Sequence, residues 1–100
     1  MRFEQHCVIA ADHPCLAGHF PGNPIVPGVV LLDEVLQAFA AWRPTDRPVG
    51  IPQVKFLAPL RPEQPFAIRW VESSSGGIRF DCLGDDGRTL ARGNLTLAGD

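Results

Sequence analysis

The sequence predicts an α+β domain in which one helix packs against an antiparallel sheet. Two patterns carry this prediction. A nearly continuous apolar run extends over Val29–Trp42, and several short segments in the second half alternate apolar and polar residues as strands do. No repeat, linker or low-complexity segment divides the chain, so residues 1–100 are expected to form a single domain with a modest core.

Composition excludes several classes of function. The formal net charge is −2, which gives no general preference for nucleic acid or an anionic membrane. The apolar run is too short to span a bilayer, and no targeting segment is visible. The cysteines Cys7, Cys15 and Cys82 are odd in number and form no C-x-x-C pair, so we expect reduced thiols in a cytoplasmic protein.

The N-terminal quarter is predicted to be a strand followed by a stiff loop. The strand falls within Arg2–Ala11 and the loop covers Asp12–Pro27, with prolines at positions 21, 24 and 27. Each proline fixes its own φ and pushes the preceding residue towards extended geometry. The loop is therefore expected to hold His19 at a fixed position relative to the helix that follows.

The helix is predicted over Val29–Trp42, where 11 of 14 residues are apolar. A helix apolar on nearly all sides is expected to be buried. A carboxylate at Asp33 is then costly unless it is satisfied or protonated, and Gln37, one turn further on, could orient it. The alternative is that Asp33 and Glu34 mark a narrow solvated stripe.

The start of this helix is a candidate oxyanion site. Its first N–H groups lack intrahelical partners, and Gly28 has no side chain to block an approaching ligand. The helix dipole would also favour a carbonyl oxygen that gains negative charge there.

The rest of the chain is predicted to form the sheet. A Pro-rich connector, Arg43–Gly50, follows the helix, and Gly84–Gly87 carries a strong hairpin signal. Gly93, inside the last strand, indicates a bulge or a close backbone approach. The predicted strands are Gly50–Ala58, Phe66–Glu72, a segment that places Ile78, Phe80 and Cys82 on one face, and Arg88–Leu97.

The stretch Gly18–Gln37, GHFPGNPIVPGVVLLDEVLQ, resembles the signature of the hot-dog-fold (3R)-hydroxyacyl-acyl-carrier-protein dehydratases. Their pattern is a G-H-F-P-G-x-P-x-x-P-G loop, then aliphatic residues, then a catalytic Glu or Asp. Val54–Pro62 resembles a second family landmark, although Pro62-Glu63-Gln64 replaces the usual Pro-Gly-Asp. The resemblance implies a single hot-dog domain, an antiparallel sheet wrapped around one long central helix, and is strongest to short stand-alone members such as those of aryl-polyene pathways.

The resemblance also implies an activity: loss of water from a 3-hydroxyacyl thioester to give a trans-2-enoyl thioester in fatty-acid, aryl-polyene or related lipid synthesis. His19 would be the base, Asp33 the proton donor, and the Gly28 N–H a donor to the thioester oxygen. Neither cofactor nor metal is implied. The implied substrate-binding residues are Phe20, Pro27, Val29, Leu32 and Gln37, with Phe39 a further candidate for the acyl tunnel.

The implied partners are an acyl carrier protein bearing a phosphopantetheine-linked acyl chain, or acyl-CoA, and a second copy of the chain. The family forms dimers or dimer-based oligomers, with the histidine of one chain facing the acid of the other. No nucleic-acid partner is expected. The basic residues Arg43, Lys55, Arg61 and Arg69 are candidates for carrier docking, although each also suits an ordinary solvated surface.

Two other functions remain open at this point. A hot-dog thioesterase would use a carboxylate to activate water, but its usual representatives lack this proline-rich loop. A non-catalytic acyl-binding module would need no acid/base pair. His13, Cys15 and His19 lack a fourth ligand for a zinc site, and each proposed lining residue would equally suit ordinary core packing.

Overall fold

The computed structural model describes residues 2–10, 25–72 and 77–98. These residues form one helix and a five-stranded sheet in the spatial order β1-β3-β4-β5-β2, with every neighbouring pair antiparallel. Strands β1 and β2 are therefore the two edges of this sheet. The elements are β1 (Arg2–Cys7), α1 (Gly28–Trp42), β2 (Pro48–Phe56), β3 (Phe66–Glu72), β4 (Ile78–Gly84) and β5 (Thr89–Leu97).

Proline defines the start of α1. Pro27 is the N-cap residue with extended backbone angles, φ −61° and ψ 149°, and its carbonyl oxygen accepts hydrogen bonds from the N–H groups of Val30 and Leu31. At the other end the Arg43 N–H donates to the Phe39 carbonyl at 2.7 Å. Pro44 follows and disfavours helical geometry in the residue before it, so the helix ends at Trp42.

The core lies between α1 and the inner face of the sheet. The helix buries Val30, Leu31, Val35 and Phe39, which recur at the spacing of one helical face. Inward-facing residues alternate along the central strands, as predicted. Those buried in β3 are Phe66, Ile68 and Trp70, and those in β4 include Ile78, Phe80 and Cys82.

Gln5 joins the edge strand β1 to this core. The Trp70 indole Nε1 donates to Gln5 Oε1 at 2.6 Å, and Gln5 Nε2 donates to the Ala38 carbonyl of the helix at 3.0 Å. The amide thus satisfies the one polar group of a fully buried tryptophan.

Glycine positions confirm two predicted backbone features. The hairpin between β4 and β5 closes with the Gly87 N–H donating to the Gly84 carbonyl at 3.0 Å, and Gly87 has φ +83°. A Cβ on Gly93 would lie 2.7 Å from Phe80 Cζ and 2.8 Å from the Gln53 carbonyl oxygen. Gly93 therefore marks a close approach of β5 to both neighbours.

Two strand boundaries differ from the predicted ones. Strand β1 ends at Cys7 rather than Ala11, because Cys7 pairs with Phe66, the first residue of β3, and Pro65 before it cannot donate to the ladder. Strand β2 begins at Pro48 and ends at Phe56. Within the described ranges, no helix is long and apolar enough to cross a membrane.

Candidate functional site

An apolar groove of about 580 Å³ runs beside the first turn of α1, where the helix start faces the end of β2. Its volume is in the range that accommodates small-molecule ligands. None of the described residues that line it carries a charged side chain, so this part of the groove suits an alkyl or aryl chain rather than an ionic group. It is formed by Ile25, Val26, Gly28, Val29, Leu31 and Leu32 on one side and by Phe56, Leu57, Ala58, Pro59 and Leu60 on the other.

The helix start lies in one wall of the groove. No side chain caps this end among the described residues, and the first turn contains no acidic residue. The positive end of the helix dipole is therefore not neutralised by a carboxylate in that turn. The Phe56 ring packs on Gly28 so closely that a Cβ there would lie 2.7 Å from Phe56 Cζ. Only glycine lets this ring and the helix start approach each other this way.

Asp33 lies on the side of α1 that faces away from the sheet, one turn after Val29 and one turn before Gln37. The Gln37 side-chain Nε2 donates to Asp33 Oδ2 at 2.6 Å, which confirms the predicted contact between these two residues. Val29, one turn before Asp33, and Leu32, the residue before it, both line the groove, whereas Asp33 itself is not a lining residue.

Of the two alternatives for Asp33, burial or a solvated stripe, the single chain shows the solvated one, since the Asp33 side chain is exposed. The reason is that α1 buries only the face bearing Val30, Leu31, Val35 and Phe39. The apolar character of the opposite face does not lead to burial within one chain: Val29 retains 75% exposure.

The other predicted site residues are distributed as follows. Val29 and Leu32 line the groove, and Pro27 adjoins it as the cap of α1. Phe39 belongs to the hydrophobic core rather than to the predicted acyl tunnel, because its ring is fully buried and contacts Trp42 and Trp70. His19 and Phe20 lie outside the described residues, so the acid/base pair remains a prediction.

Sequence reasoning did not single out Phe56 and Leu57 as site residues. Both line the groove, and they are 51% and 55% exposed. Both residues belong to Val54–Pro62, the second segment that resembles the family. That resemblance could have identified them, because this segment lines the groove from the end of β2 onwards.

The described thiols are not activated nucleophiles. Burial, and to a lesser degree the nearby Cys7 and Asp81, raises the pKa of Cys82 from 9.0 to about 12. Burial and the neighbouring Glu34 carboxylate also raise the pKa of Cys7. Both groups are therefore neutral at physiological pH. Among the residues that the structure describes, no group of three or more His, Cys, Asp or Glu side chains is arranged to hold a metal ion.

One long helix against a five-stranded antiparallel sheet, with an apolar groove at the helix start, defines a hot-dog-fold protein. Residues 1–94 match the ApeI-like family, described as ApeI dehydratase, and the chain belongs to that family.

One curated relative is similar along most of this chain, and two solved structures share the fold. The chain is 30% identical over 100 residues to a 3-hydroxyacyl-[acyl-carrier-protein] dehydratase FabZ of Thermomicrobium roseum, covering 92% of this chain and 65% of that protein's length. The dehydratase heterocomplex ApeI:P of Xenorhabdus doucetiae superimposes with a TM-score of 0.81 at 23% identity, over 96% of this chain and 86% of the other. An (R)-hydratase of A. caviae involved in PHA biosynthesis superimposes with a TM-score of 0.76 at 11% identity, over 97% and 92% of the two chains.

Proposed function

We propose that this protein is a 3-hydroxyacyl-thioester dehydratase that releases water and a trans-2-enoyl thioester. The observation that carries the proposal is the apolar groove built against an uncapped helix start, with the exposed Asp33 on the same helix one turn after the lining residue Val29. The groove suits an acyl chain, and the helix start suits an oxygen that gains negative charge. The names of the relatives and the family supply the reaction class.

The proposed chemistry uses three groups of this chain. The neutral imidazole of His19 removes a proton from C2, and the Gly28 N–H stabilises the charge that develops on the thioester oxygen. Asp33, protonated and held by Gln37, donates a proton to the hydroxyl on C3, which leaves as water. The C2–H and C3–O bonds break and a C2–C3 double bond forms, so the atoms balance without an oxidant or reductant.

We further propose that two copies assemble along the free edge of β2 and the outward face of α1. Strand β2 pairs only with β5, so its other edge has no strand beside it in the described structure. The large apolar residues Val29, Phe56 and Leu57 are all at least half exposed in the same region. A second copy would cover them, shield Asp33 from water and bring its own His19 to this Asp33.

The thioester is proposed to arrive on an acyl carrier protein, which is the carrier in the names of the curated relatives. Coenzyme A is the alternative carrier, because it ends in the same pantetheine thiol. The groove does not distinguish the acyl carrier protein from coenzyme A, because it would bind the acyl chain, and the two carriers have the same pantetheine group next to the thioester.

The reaction is tested by incubating the protein with 3-hydroxyacyl and saturated acyl thioesters and analysing the products by mass spectrometry. We expect enoyl product from the first and nothing from the second. Free thiol from both would show a thioesterase, and tight binding without turnover would show a binding module. His19→Ala and Asp33→Asn should each lower kcat at least about a hundredfold, whereas Glu34→Gln, a matched change on the same helix, should leave it within about twofold.

The shared site is tested by mixing two inactive variants. If the histidine and the acid come from different chains, a heterodimer of His19→Ala with Asp33→Ala contains one site with both groups intact. Random reassociation of equal amounts should then restore about a quarter of the wild-type activity. Absence of any recovery, with mixed dimers verified by mass spectrometry, would contradict a site built from two chains.

A further inference from the structure

The free edge of β2 presents backbone groups whose directions can be assigned from its pairing with β5. The Leu57 N–H donates to the Leu90 carbonyl at 2.8 Å, and the register continues without a shift from this pair back to Gln53. Residues of an antiparallel strand direct both backbone groups to alternate sides. The odd-numbered residues from Gln53 to Leu57 therefore face β5, whereas Val54 and Phe56 direct their N–H and C=O groups to the free edge.

Pro52 restricts what this edge can donate. The Gln53 N–H faces β5, so the Pro52 carbonyl points to the free edge, because the C=O and N–H groups of one trans peptide point in opposite directions. Proline has no N–H of its own. Over 52–56, the free edge therefore offers N–H donors from Val54 and Phe56 and carbonyl acceptors from Pro52, Val54 and Phe56.

A second copy can extend the sheet along this edge in two registers. A two-fold axis normal to the sheet makes the two β2 strands antiparallel and keeps both helices on the same side. If the axis passes Val54, the two Val54 residues bond each other and each Phe56 N–H meets the partner's Pro52 carbonyl. If it passes Lys55, each Val54 exchanges both bonds with the partner's Phe56. The two registers form equal numbers of hydrogen bonds, so the backbone does not decide between them.

Lys55 distinguishes the two registers. An axis at Lys55 would set this residue directly opposite Lys55 of the partner subunit, in the closer type of antiparallel pair, where like charges are destabilising. No carboxylate pairs with Lys55 among the described residues, and its neighbour on β5 is another cation, Arg92. An axis at Val54 instead places Lys55 opposite the partner's Gln53, which is neutral and offers a carbonyl acceptor.

We propose that the second copy pairs with β2 in one register, with the two-fold axis at Val54. The inference rests on the dimer proposed above and adds which residues of the two chains meet. Val54 packs against the core in the single chain, so the two β-branched Val54 side chains would meet on the face towards α1. Phe56, whose ring packs on Gly28, would lie opposite Pro52 of the partner subunit. A wall of the groove would then have a neighbour from the second chain.

Disulfide trapping tests this register. Chains carrying Gln53→Cys and Lys55→Cys are purified separately, reassociated as a mixture and mildly oxidised, and the linked peptides are mapped by mass spectrometry. In the proposed register, positions 53 and 55 of different chains form a closely spaced pair with Cα atoms about 4.5 Å apart, which suits a disulfide. With the axis at Lys55, they would be roughly 8 Å apart, and position 55 would face itself.

We expect a link between positions 53 and 55 in the mixture and no link between two positions 55 in Lys55→Cys alone. A link between two positions 55 would overturn the register and leave the dimer in place. Neither link in a protein that sediments as a dimer would place the interface elsewhere and overturn the register. Neither link in a protein that sediments as a monomer would overturn the dimer and the register together, while the product assay still decides the reaction.

Gln53→Glu provides a second measurement that needs no new thiol. In the proposed register each added carboxylate would face the partner's Lys55, so the dimer dissociation constant at low salt should fall about fivefold. Asn94→Glu is the matched control, because Asn94 lies opposite Gln53 on β5, one strand further from the partner. It should change the constant less than about twofold.

Adding Lys55→Gln to Gln53→Glu should abolish the gain, because the proposed register supplies the attraction only through Lys55. With the axis at Lys55, position 53 would face the partner's Leu57 instead and no gain would appear. Equal dissociation constants for Gln53→Glu and Asn94→Glu would therefore overturn the register.

Discussion

Replacing Gly93 with alanine tests the closest approach in the sheet. The added Cβ would lie 2.7 Å from Phe80 Cζ, 2.9 Å from Phe80 Cε1 and 2.8 Å from the Gln53 carbonyl oxygen. Phe80 is fully buried, with its ring centroid 6.0 Å from that of Trp70, so the ring cannot move without displacing a second aromatic side chain. The Gln53 oxygen is backbone and moves only if β2 shifts away from β5.

The size of the effect follows from these contacts. Overpacking a filled core costs about 1–3 kcal/mol, and two immobile neighbours place Gly93→Ala near the upper end of that range. Alanine restricts the unfolded chain and returns about 0.4–1 kcal/mol. The net expectation is a loss of about 2 kcal/mol in the free energy of unfolding, or a fall in Tm of about 8–16 °C for a chain of this length.

Gly28→Ala is the matched control, because its Cβ would also lie 2.7 Å from a phenylalanine Cζ. That phenylalanine, Phe56, is half exposed on an edge strand of the single chain and can rotate towards solvent there, so both variants are compared at a protein concentration low enough to keep the chain monomeric. We expect Gly28→Ala to change the free energy of unfolding by less than about 0.5 kcal/mol.

Thermal and urea unfolding followed by circular dichroism measure both variants. All samples are compared at one protein concentration, because self-association would make stability concentration-dependent. A Gly93→Ala protein as stable as the wild type would refute the reasoning, and so would equal losses in the two variants, since the mobility of the neighbouring ring would then be irrelevant.

Three further outcomes follow from the described contacts. Glu63 has φ +65°, so Glu63→Gly should be about 0.5–1 kcal/mol more stable to unfolding than Glu63→Ala, because both variants lose the same side chain and only glycine relieves the backbone; equal stability of the two variants would contradict this. Gln5→Ala removes the acceptor of the Trp70 indole and should cost about 1–3 kcal/mol in urea unfolding. The pKa of Cys82 is raised from 9.0 to about 12, so the folded chain retains between these values a proton that the unfolded chain releases. The stability contributed by the Cys82 thiol should therefore be lost as pH rises from 9.0 to about 12. Peptide mapping after alkylation at about pH 8 should show Cys7 modified before Cys82. The reverse order would show that burial does not protect Cys82.

The sheet could be predicted because a strand has a period of two residues. The alternation of apolar and polar residues over Phe66–Glu72 predicted both the bounds of β3 and its buried face. The glycines at positions 84 and 87 predicted the hairpin between β4 and β5. The end of β1 could not be predicted from β1 itself, because Pro65 on the neighbouring strand terminates the ladder. A boundary set by a partner strand is a tertiary effect, and the local pattern does not contain it.

The site could be predicted only in part for a similar reason. The Gly28 position and the Gln37–Asp33 contact follow from helix geometry within a few residues. The packing of Phe56 on Gly28 joins residues far apart in the sequence. The burial of Asp33 was inferred from its apolar neighbours. An apolar residue in the sequence predicts a buried side chain, but it does not indicate whether the same chain or a second chain buries it.

Helix α1 carries two apolar faces, and the single chain uses one of them. Val30, Leu31, Val35 and Phe39 fill the core, whereas the opposite face presents Val29 beside Asp33. The expectation that the whole helix is buried then applies to an assembly rather than to one chain, provided that a second copy covers the outward face. In that assembly a second copy would shield Asp33 from water. The exposed carboxyl group of Asp33, the exposed apolar residues of the groove and the free edge of β2 are all accounted for by the proposed dimer, in which a second chain completes the site.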